Sequence, residues 1–358
     1  MAKTIVIAAG GTGGHLFPAQ RVAKRLYEES DNTVIFMGKG LATNPRFTRE
    51  FPFHDIASAS FAGNPITLVR NSLQLAKGLY DSIRTLKKIA PALVVGFGSY
   101  HGAPILLAAW LLSIPIILHE SNAVPGKVNR LFSRMAQKTA VFFEQAATQL
   151  VGEVVRSDIP LKKEFHESMR PTREQALEYY GLESDLKTLL VFGGSQGAQR
   201  MNALFIAALS FLDCTGWQIL HFTGADTAFA QEYATRGIRA VVKPFEQKME
   251  MAYVLADGCI SRSGAATIAE QMAFGLPAFF IPYPTAADNH QEHNARFVEK
   301  IGAACCFLEE QLDARLLAAK LTQFLEDASL QTMRKHLVAH RLASDGVDFC
   351  EEIRRFLS

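Results

Sequence analysis

In the run IVIAAGGTGGHLFPA, Ile5 to Ala19, four glycines surround Thr12 and lead straight into His15. Glycine admits positive φ and lets a ligand approach the backbone, and exposed N–H groups at a helix start favour an anion. A loop that cradles phosphate is the chemistry these residues suit, with a plain tight turn as the bland alternative. Two common phosphate loops are excluded by spacing: GxGxxG needs glycine where Leu16 stands, and a Walker loop needs lysine where His15 stands.

A second set lies in CISRSGAATIAEQMAFGLP, from Cys259. Ser263 is the expected N-cap of a helix starting near Ala265, which makes a second anion site, with Arg262 as a cation beside it. Glu270, less than two turns along that helix, reaches past a diphosphate to a ribose diol; the alternative is a solvated helix carboxylate. From Ala286 to Ala295 the chain gathers Asp288, Asn289, His290, Gln291, Glu292, His293 and Asn294, a density of hydrogen-bonding groups that suits a hydroxyl-rich ligand. A metal site at His290, Glu292 and His293 is the weaker reading, because HEXXH spacing is absent and no cysteine is near in sequence.

Both sets need strand ends to hold them. Ile5–Ala9 is a short β-branched run before a helical pattern over Leu16–Tyr27, and TLLVFGGSQGAQRMNALFIAAL, Thr188 to Leu209, repeats the strand, glycine turn and helix. Strand patterns at 34–37, 93–95, 114–118 and 138–142 follow the first copy, and 218–222, 240–242, 258–260 and 278–281 follow the second, with helical stretches between. This alternation predicts two doubly wound parallel-sheet domains, joined by a polar linker within 156–171. Ligands of such sheets sit beyond the carboxyl ends of the strands, where both glycine turns lie.

The totals agree with an ordinary globular protein: 358 residues exceed one core, with 49% hydrophobic and 20% charged residues, and a net charge of +2 gives no bulk attraction to nucleic acid. Five cysteines, odd in number and without CxxC, point to reduced thiols and a cytoplasmic location. The first apolar stretch breaks at Gly10, too early for a signal peptide, and 103–118 is cut by Ser113 and Pro115, short of the roughly 20 residues of a membrane span.

GGTGGHLFPA, LHESNAVPGKVNR, VFGGSQGAQRMN and SRSGAATIAEQMAFGLP, in this order, resemble the motifs of the MurG family of peptidoglycan glycosyltransferases. The resemblance implies the α/β GT-B fold, two Rossmann-like doubly wound domains with a cleft between them. It also implies inverting transfer of N-acetylglucosamine from UDP-N-acetylglucosamine to lipid I, forming lipid II, by a hexosyltransferase with no cofactor and no essential metal. Residues 1–160 are then the acceptor and membrane-facing domain, 161–340 the UDP-sugar domain, and 341–358 a helix packing back on the first. Thr12, Gly13 and Gly14 match the loop near the donor sugar and diphosphate, Asn122 an asparagine holding the sugar, and Ser195 the serine of the second glycine loop. Ala265, Ala266, Thr267, Ile268, Ala269 and Glu270 match the nucleotide-binding segment, with Glu270 on the ribose, and Gln291 matches a glutamine facing the sugar hydroxyls. Arg156 falls where the family has an arginine after Gly-Asn-Pro-Val, but the chain reads GEVVR, which changes the local turn.

Within that chemistry His15 is placed to take the acceptor hydroxyl's proton, its alternative being a hydrogen bond to substrate or a turn cap. His119 and Glu120 are second candidates for proton handling or acceptor binding. The partners implied are the two substrates, an anionic membrane surface and cell-wall synthesis proteins, at the cytoplasmic face of the bacterial inner membrane. Drawn as a helix, 68–90 lines up Val69, Leu73, Ala76, Tyr80 and Ile83, widened by Leu68, Leu75, Leu79 and Leu86 and flanked by Arg70, Lys77, Arg84 and Lys88. Part of that face is expected on the sheet and part on anionic lipid, against the alternative of a core helix with a solvated basic side. Two rival functions stay open on the same fold: a UDP-N-acetylglucosamine epimerase, and a non-catalytic nucleotide-sugar sensor.

Overall fold

A computed structural model describes residues 2–11, 13–59, 65–194, 198–224, 229–343 and 346–358, with 65–68 as backbone only. The chain divides into two compact units, Met1–Pro160 with Asp345–Ser358, and Leu161–Ser344. Among the described residues the first unit's sheet has seven strands: β1 Thr4–Ala8, β2 Thr33–Gly38, β3 Phe53–Asp55, β4 Leu93–Gly96, β5 Ile116–Glu120, β6 Lys138–Val141 and β7 Val154–Arg156. They stand in the order β3-β2-β1-β4-β5-β6-β7. The second unit's six are β8 Lys187–Phe192, β9 Trp217–Phe222, β10 Ala240–Lys243, β11 Gly258–Ser261, β12 Ala278–Phe280 and β13 Ala304–Cys306, ordered β10-β9-β8-β11-β12-β13. Every pairing is parallel.

Parallel strands need crossovers, and right-handed crossovers place helices on both faces. The central strands show the consequence. Ile5 and Ile7 of β1 pack into one core while Val6 and Ala8 pack into another on the opposite face. Leu189 and Val191 of β8 divide from Leu190 and Phe192 in the same way. This two-sided burial is why these strands read as unbroken apolar runs.

Three strands are absent from the sequence pattern, β3, β7 and β13, each three residues long and each at a sheet edge. An edge strand is covered on fewer sides, so its composition is less apolar and its periodicity weaker. Arg156 ends β7, so the expected linker begins inside the sheet. The first helix is Gly13–Glu28, starting three residues before the apolar spacing does, so Gly13 and Gly14 form its first turn.

The C-terminal helix, Phe349–Leu357, belongs to the first unit. It sends Phe349, Cys350, Ile353 and Leu357 into the core that holds Ile5 and Ile7. Asp348 caps it by accepting the Glu351 N–H at 2.9 Å and pairs with Arg25 at 2.6 Å. All five cysteines are free thiols. Among the described residues no helix is long and apolar enough to cross a membrane.

Candidate active site

Strand order reverses between β1 and β4 in the first unit and between β8 and β11 in the second, the positions where sheets of this kind bind ligands beyond the strand ends. Each unit presents its glycine turn there.

In the first unit Gly11 has φ +83°, and its carbonyl accepts from Asn44 Nδ2 at 2.9 Å. The loop after β4 closes over this turn: a Cβ on Gly11 would lie 2.7 Å from the His101 ring, and one on Gly10 3.0 Å from His101 Cβ. Glycine is therefore required by conformation at Gly11, where a Cβ would also displace the His101 ring, and a Cβ on Gly10 would be tightly packed. Gly13 and Gly14 bring N–H groups with no partner four residues back in the helix, the usual condition for anion affinity. Thr12 lies outside the described residues. His15, half-buried, is the third residue of that helix.

Two other imidazoles feel the charge of His15. Burial, then Lys39 and His15, push His101 down to about 4. Burial pushes His119 down to about 4 as well, with the Asp158 backbone partly offsetting it and His15 adding to it. His119, next to last in β5, is fully enclosed, between Phe97 at 5.5 Å and Phe349 at 4.8 Å between ring centres, with Nδ1 3.3 Å from Ser121 Oγ. Glu120 is also buried. Its carboxylate accepts from the N–H groups of Asn122 and Gly126 and from Asn129 Nδ2, each at 2.9 Å, and from Asn122 Nδ2 at 3.4 Å. Glu120 thus shapes the 121–126 loop that carries Asn122. Arg156, half-buried, gives its carbonyl to the Val347 N–H at 3.0 Å.

In the second unit Gly194 has φ +87°, the helix Gln199–Ala208 follows, and Ser195 lies outside the described residues. The helix Ala265–Phe274 starts the second anion site, and its cap differs from expectation. Gly264 is the N-cap, in extended conformation, while the Ser263 hydroxyl donates to the Gln291 carbonyl at 2.7 Å. Ser263 therefore ties the start of this helix to the polar segment at Gln291 instead of capping. Ala265, Ile268 and Ala269 are buried, and Ala266 and Thr267 half-buried. Glu270 is half-buried, and its Oε2 accepts from Tyr253 OH at 3.0 Å. Gln291 Oε1 accepts from the Tyr283 N–H at 3.0 Å.

Arg262 is engaged within its own unit. Its Nη1 donates to the carbonyls of Ile281 at 3.0 Å and Pro282 at 2.9 Å, and Nη2 pairs with the buried Glu309. These bonds pair its charge inside the unit and hold the ends of β11 and β12 together. Glu309 also receives Arg200 Nε at 3.2 Å, linking the helix after the second glycine turn to the SRSG strand end. His290 Nδ1 lies 2.8 Å from the Ala287 carbonyl and Glu292 lies near Arg296, and among the described residues no three His, Cys, Asp or Glu gather as a metal site.

Several organising residues escape the sequence reading. His101, Glu309 and the buried set His221, Asn202 and Tyr233 are among them. Asn202 Nδ2 donates to the Thr223 carbonyl at 2.9 Å, so its oxygen takes the Nε2–H of His221 and Tyr233 OH donates to Nδ1. Burial pushes His221 down to about 3, keeping this arrangement neutral. Asn129 and Asn202 stand inside motifs quoted above. His101 stands in GSYHG after β4, and only the strand order places that segment beside the turn after β1.

The comparisons agree with this division. Residues 5–141 match the glycosyltransferase family 28 N-terminal domain and 188–347 the glycosyltransferase family 28 C-terminal domain. The crystal structure of MurG from Acinetobacter baumannii superimposes with a TM-score of 0.78 at 28% identity, covering 99% of this chain and 98% of that one. The calicheamicin glycosyltransferase CalG4, at 13% identity and a TM-score of 0.69 over 100% and 98% of the two chains, shares the fold alone. A UDP-N-acetylglucosamine–N-acetylmuramyl-(pentapeptide) pyrophosphoryl-undecaprenol N-acetylglucosamine transferase of Protochlamydia amoebophila is 39% identical over 98% of this chain and 95% of its own length. One of Desulforudis audaxviator with the same name is 36% identical over 92% of each. The two family 28 domain models, together with relatives 36–39% identical along nearly the whole length, establish that this chain belongs to glycosyltransferase family 28, in the branch those transferases form.

Proposed function

We propose that the chain transfers N-acetylglucosamine from UDP-N-acetylglucosamine to lipid I, the N-acetylmuramyl-(pentapeptide) pyrophosphoryl-undecaprenol acceptor, giving lipid II with inversion at the anomeric carbon. The observation that carries this reading is the pair of glycine turns at the two strand-order reversals, the first opening a helix that bears His15 in its first turn. The relatives' names supply the two substrates.

Glycosyl transfer develops negative charge on the leaving diphosphate, so fixed N–H donors favour the transition state over the ground state. The helix start at Ala265–Ala269 and the second turn with Ser195 take the donor phosphates, Glu270 the ribose, and Gln291 and Asn122 the sugar hydroxyls. Thr12, Gly13 and Gly14 take the role of the family's loop for the donor sugar and diphosphate, and the first unit is the acceptor half. His15 accepts the nucleophilic hydroxyl's proton. His119 stays neutral, and Glu120 and Arg262 act by positioning. Arg156 adds charge at the end of β7. This division of labour needs no metal, so activity should survive EDTA; complete loss restored only by Mg²⁺ or Mn²⁺ would overturn it.

The acceptor is lipid-linked, and the helix Pro65–Ile89 supplies a surface for it. Val69, Leu73 and Tyr80 are 65%, 68% and 66% exposed along one side, with Arg70, Lys77 and Arg84 exposed beside them. Trp110 and Leu111, on the packed neighbour Ala103–Leu111, add 48% and 51% exposed apolar surface. Such a face fits peripheral binding to the anionic inner leaflet, where cell-wall synthesis proteins also work.

Incubation with labelled UDP-N-acetylglucosamine, with and without lipid I, separates the three readings. A transferase consumes donor only when acceptor is present; an epimerase consumes it alone; a sensor consumes none.

A further inference from the structure

His101 sits in a short 3₁₀ turn, Tyr100–Gly102, between β4 and the helix Ala103–Leu111. Three contacts fix its ring. Nδ1 lies 2.7 Å from Ser99 Oγ, the Tyr100 ring stacks on it with centres 4.0 Å apart, and the Cε1–Nδ1 edge faces Gly11. The turn is held in place in its own right: Ser58 Oγ donates to the Tyr100 carbonyl at 2.8 Å, and Lys39 Nζ to the Ser58 carbonyl at 2.6 Å.

The hydrogen bonds assign the tautomer. Ser99 is buried, and its oxygen accepts the His101 N–H at 3.3 Å. A buried hydroxyl also has one proton to place, and among the described residues its acceptor is Nδ1 of His101. Nδ1 is then unprotonated, and burial with the charges of Lys39 and His15 keeps the ring neutral near pH 7. Its single proton is on Nε2. The ring is half-buried against Gly10 and Gly11 of the first glycine turn, and among the described residues its hydrogen bonds go to Ser99 alone.

We propose that His101 is a further acceptor-binding residue of the transfer reaction, donating its Nε2–H to an oxygen of the acceptor held at the first glycine turn. This rests on the first unit being the acceptor half. A neutral donor has a chemical advantage at this position. It adds a hydrogen bond without a second cation, which would oppose the charge His15 gains when it takes the hydroxyl proton.

The test uses the full chain with UDP-N-acetylglucosamine and a lipid I analogue. His101→Gln keeps an N–H close to the Nε2 position, His101→Asn moves it to the Nδ1 position, and His101→Leu fills the space without a donor. Loss of one such bond should raise the acceptor KM about 5–10-fold in the Leu and Asn variants, with His101→Gln within about twofold of the parent and the donor KM unchanged in all. An acceptor KM that His101→Leu leaves at the parental value overturns the proposal. So does a His101→Gln variant as impaired as His101→Leu, which would make the ring a spacer, or a defect that falls on the donor KM. An acceptor lacking the pyrophosphoryl group locates the bond: a surviving Leu-to-parent ratio assigns a sugar or peptide oxygen and a vanished one a phosphate oxygen, either result upholding the contact. A parent chain that leaves the acceptor untouched overturns the transferase reading itself, and this proposal with it.

Discussion

His15 lies in the first turn of its helix, close enough to two imidazoles held neutral for its charge to act on both. Replacing it with alanine or asparagine should lower kcat by the ~10²–10⁴-fold of a positioned acid–base group while donor affinity changes little. A variant that keeps most of kcat leaves His15 as a ligand contact or cap. Glu270→Ala should weaken donor binding by about 1.5–3 kcal/mol, the loss of charge-assisted bonds to the ribose, read as a raised KM for UDP-N-acetylglucosamine. An unchanged KM would remove Glu270 from the donor site. Tyr253→Phe should cost less, since it loses only the hydroxyl that orients Glu270. The enclosed histidines also set an acid response. His119 and His221 have folded values of about 4 and 3, below the 6.5 of a free imidazole, so the unfolded chain binds more protons between these limits. Stability is therefore fully present above pH 6.5 and falls with acidification by about 1.4 kcal/mol per pH unit for each histidine until its folded value is reached. Denaturant titrations of the parent and His221→Gln at pH 7 and 5 should diverge less for the variant.

The helix Pro65–Ile89 shows how an element serves two surroundings. Gly78 faces inward at a place where a Cβ would lie 1.8 Å from the Ala57 carbonyl, so the helix rests directly on backbone there. Leu86 is fully buried, and Leu79 and Ile83 pack on the core beside it. The outer line is Val69, Leu73, Ala76 and Tyr80, with the side chain of Leu68 outside the described residues. A broad apolar face, ambiguous in sequence, is thereby divided between an inner part and an exposed strip edged by cations. Val69, Leu73 and Tyr80 changed to serine, with Lys77 and Arg84 changed to glutamate, should weaken binding to anionic liposomes and activity on lipid I, with activity on a soluble short-chain acceptor retained. Leu75 and Leu79 are poorer targets, since both are half-buried and Leu79 supports the core. If the folded variant binds liposomes as the parent does, the membrane contact is elsewhere.

At the scale of the whole chain, the last helix completes the first unit. Phe349 packs on His119 and Phe97, with ring centres 4.8 and 6.1 Å away, and Ile353 and Leu357 continue the same core. Phe349→Ala should cost about 3–5 kcal/mol of first-unit stability, the range for deleting a buried aromatic ring. Ending the chain at residue 343 should unfold the first unit while the second retains its cooperative transition, since Phe349, Ile353 and Leu357 each contribute roughly 1.5–3 kcal/mol against a total of about 5–15. Calorimetry that shows both transitions unmoved would contradict this account. The Arg25–Asp348 pair adds an acid-sensitive component: burial opposes ionisation of Asp348, but Arg25 and the N–H groups of Glu351 and Cys350 outweigh it and lower its value from 3.8. Its contribution is present above that value and lost as pH falls below it.

The strand runs, both glycine turns and the repeated strand–turn–helix plan were determined by sequence alone, because strands buried on both faces must be continuously apolar and a turn at φ +83° or +87° selects glycine. Asn129 and Asn202 were legible as members of motifs but not as supports. The edge strands β3, β7 and β13 were not legible, since three residues with one neighbour carry little pattern. Tertiary structure decided what each polar group is used for. Arg262 reads as a free cation until Glu309, 47 residues on, neutralises it, and Ser263 reads as a cap until the Gln291 carbonyl takes its hydroxyl. His101 becomes part of the first turn only because β4 lies beside β1 in the sheet. Local spacing specifies backbone geometry, whereas the partner of a buried donor or charge is set by strand order, which brings together residues that the chain keeps far apart.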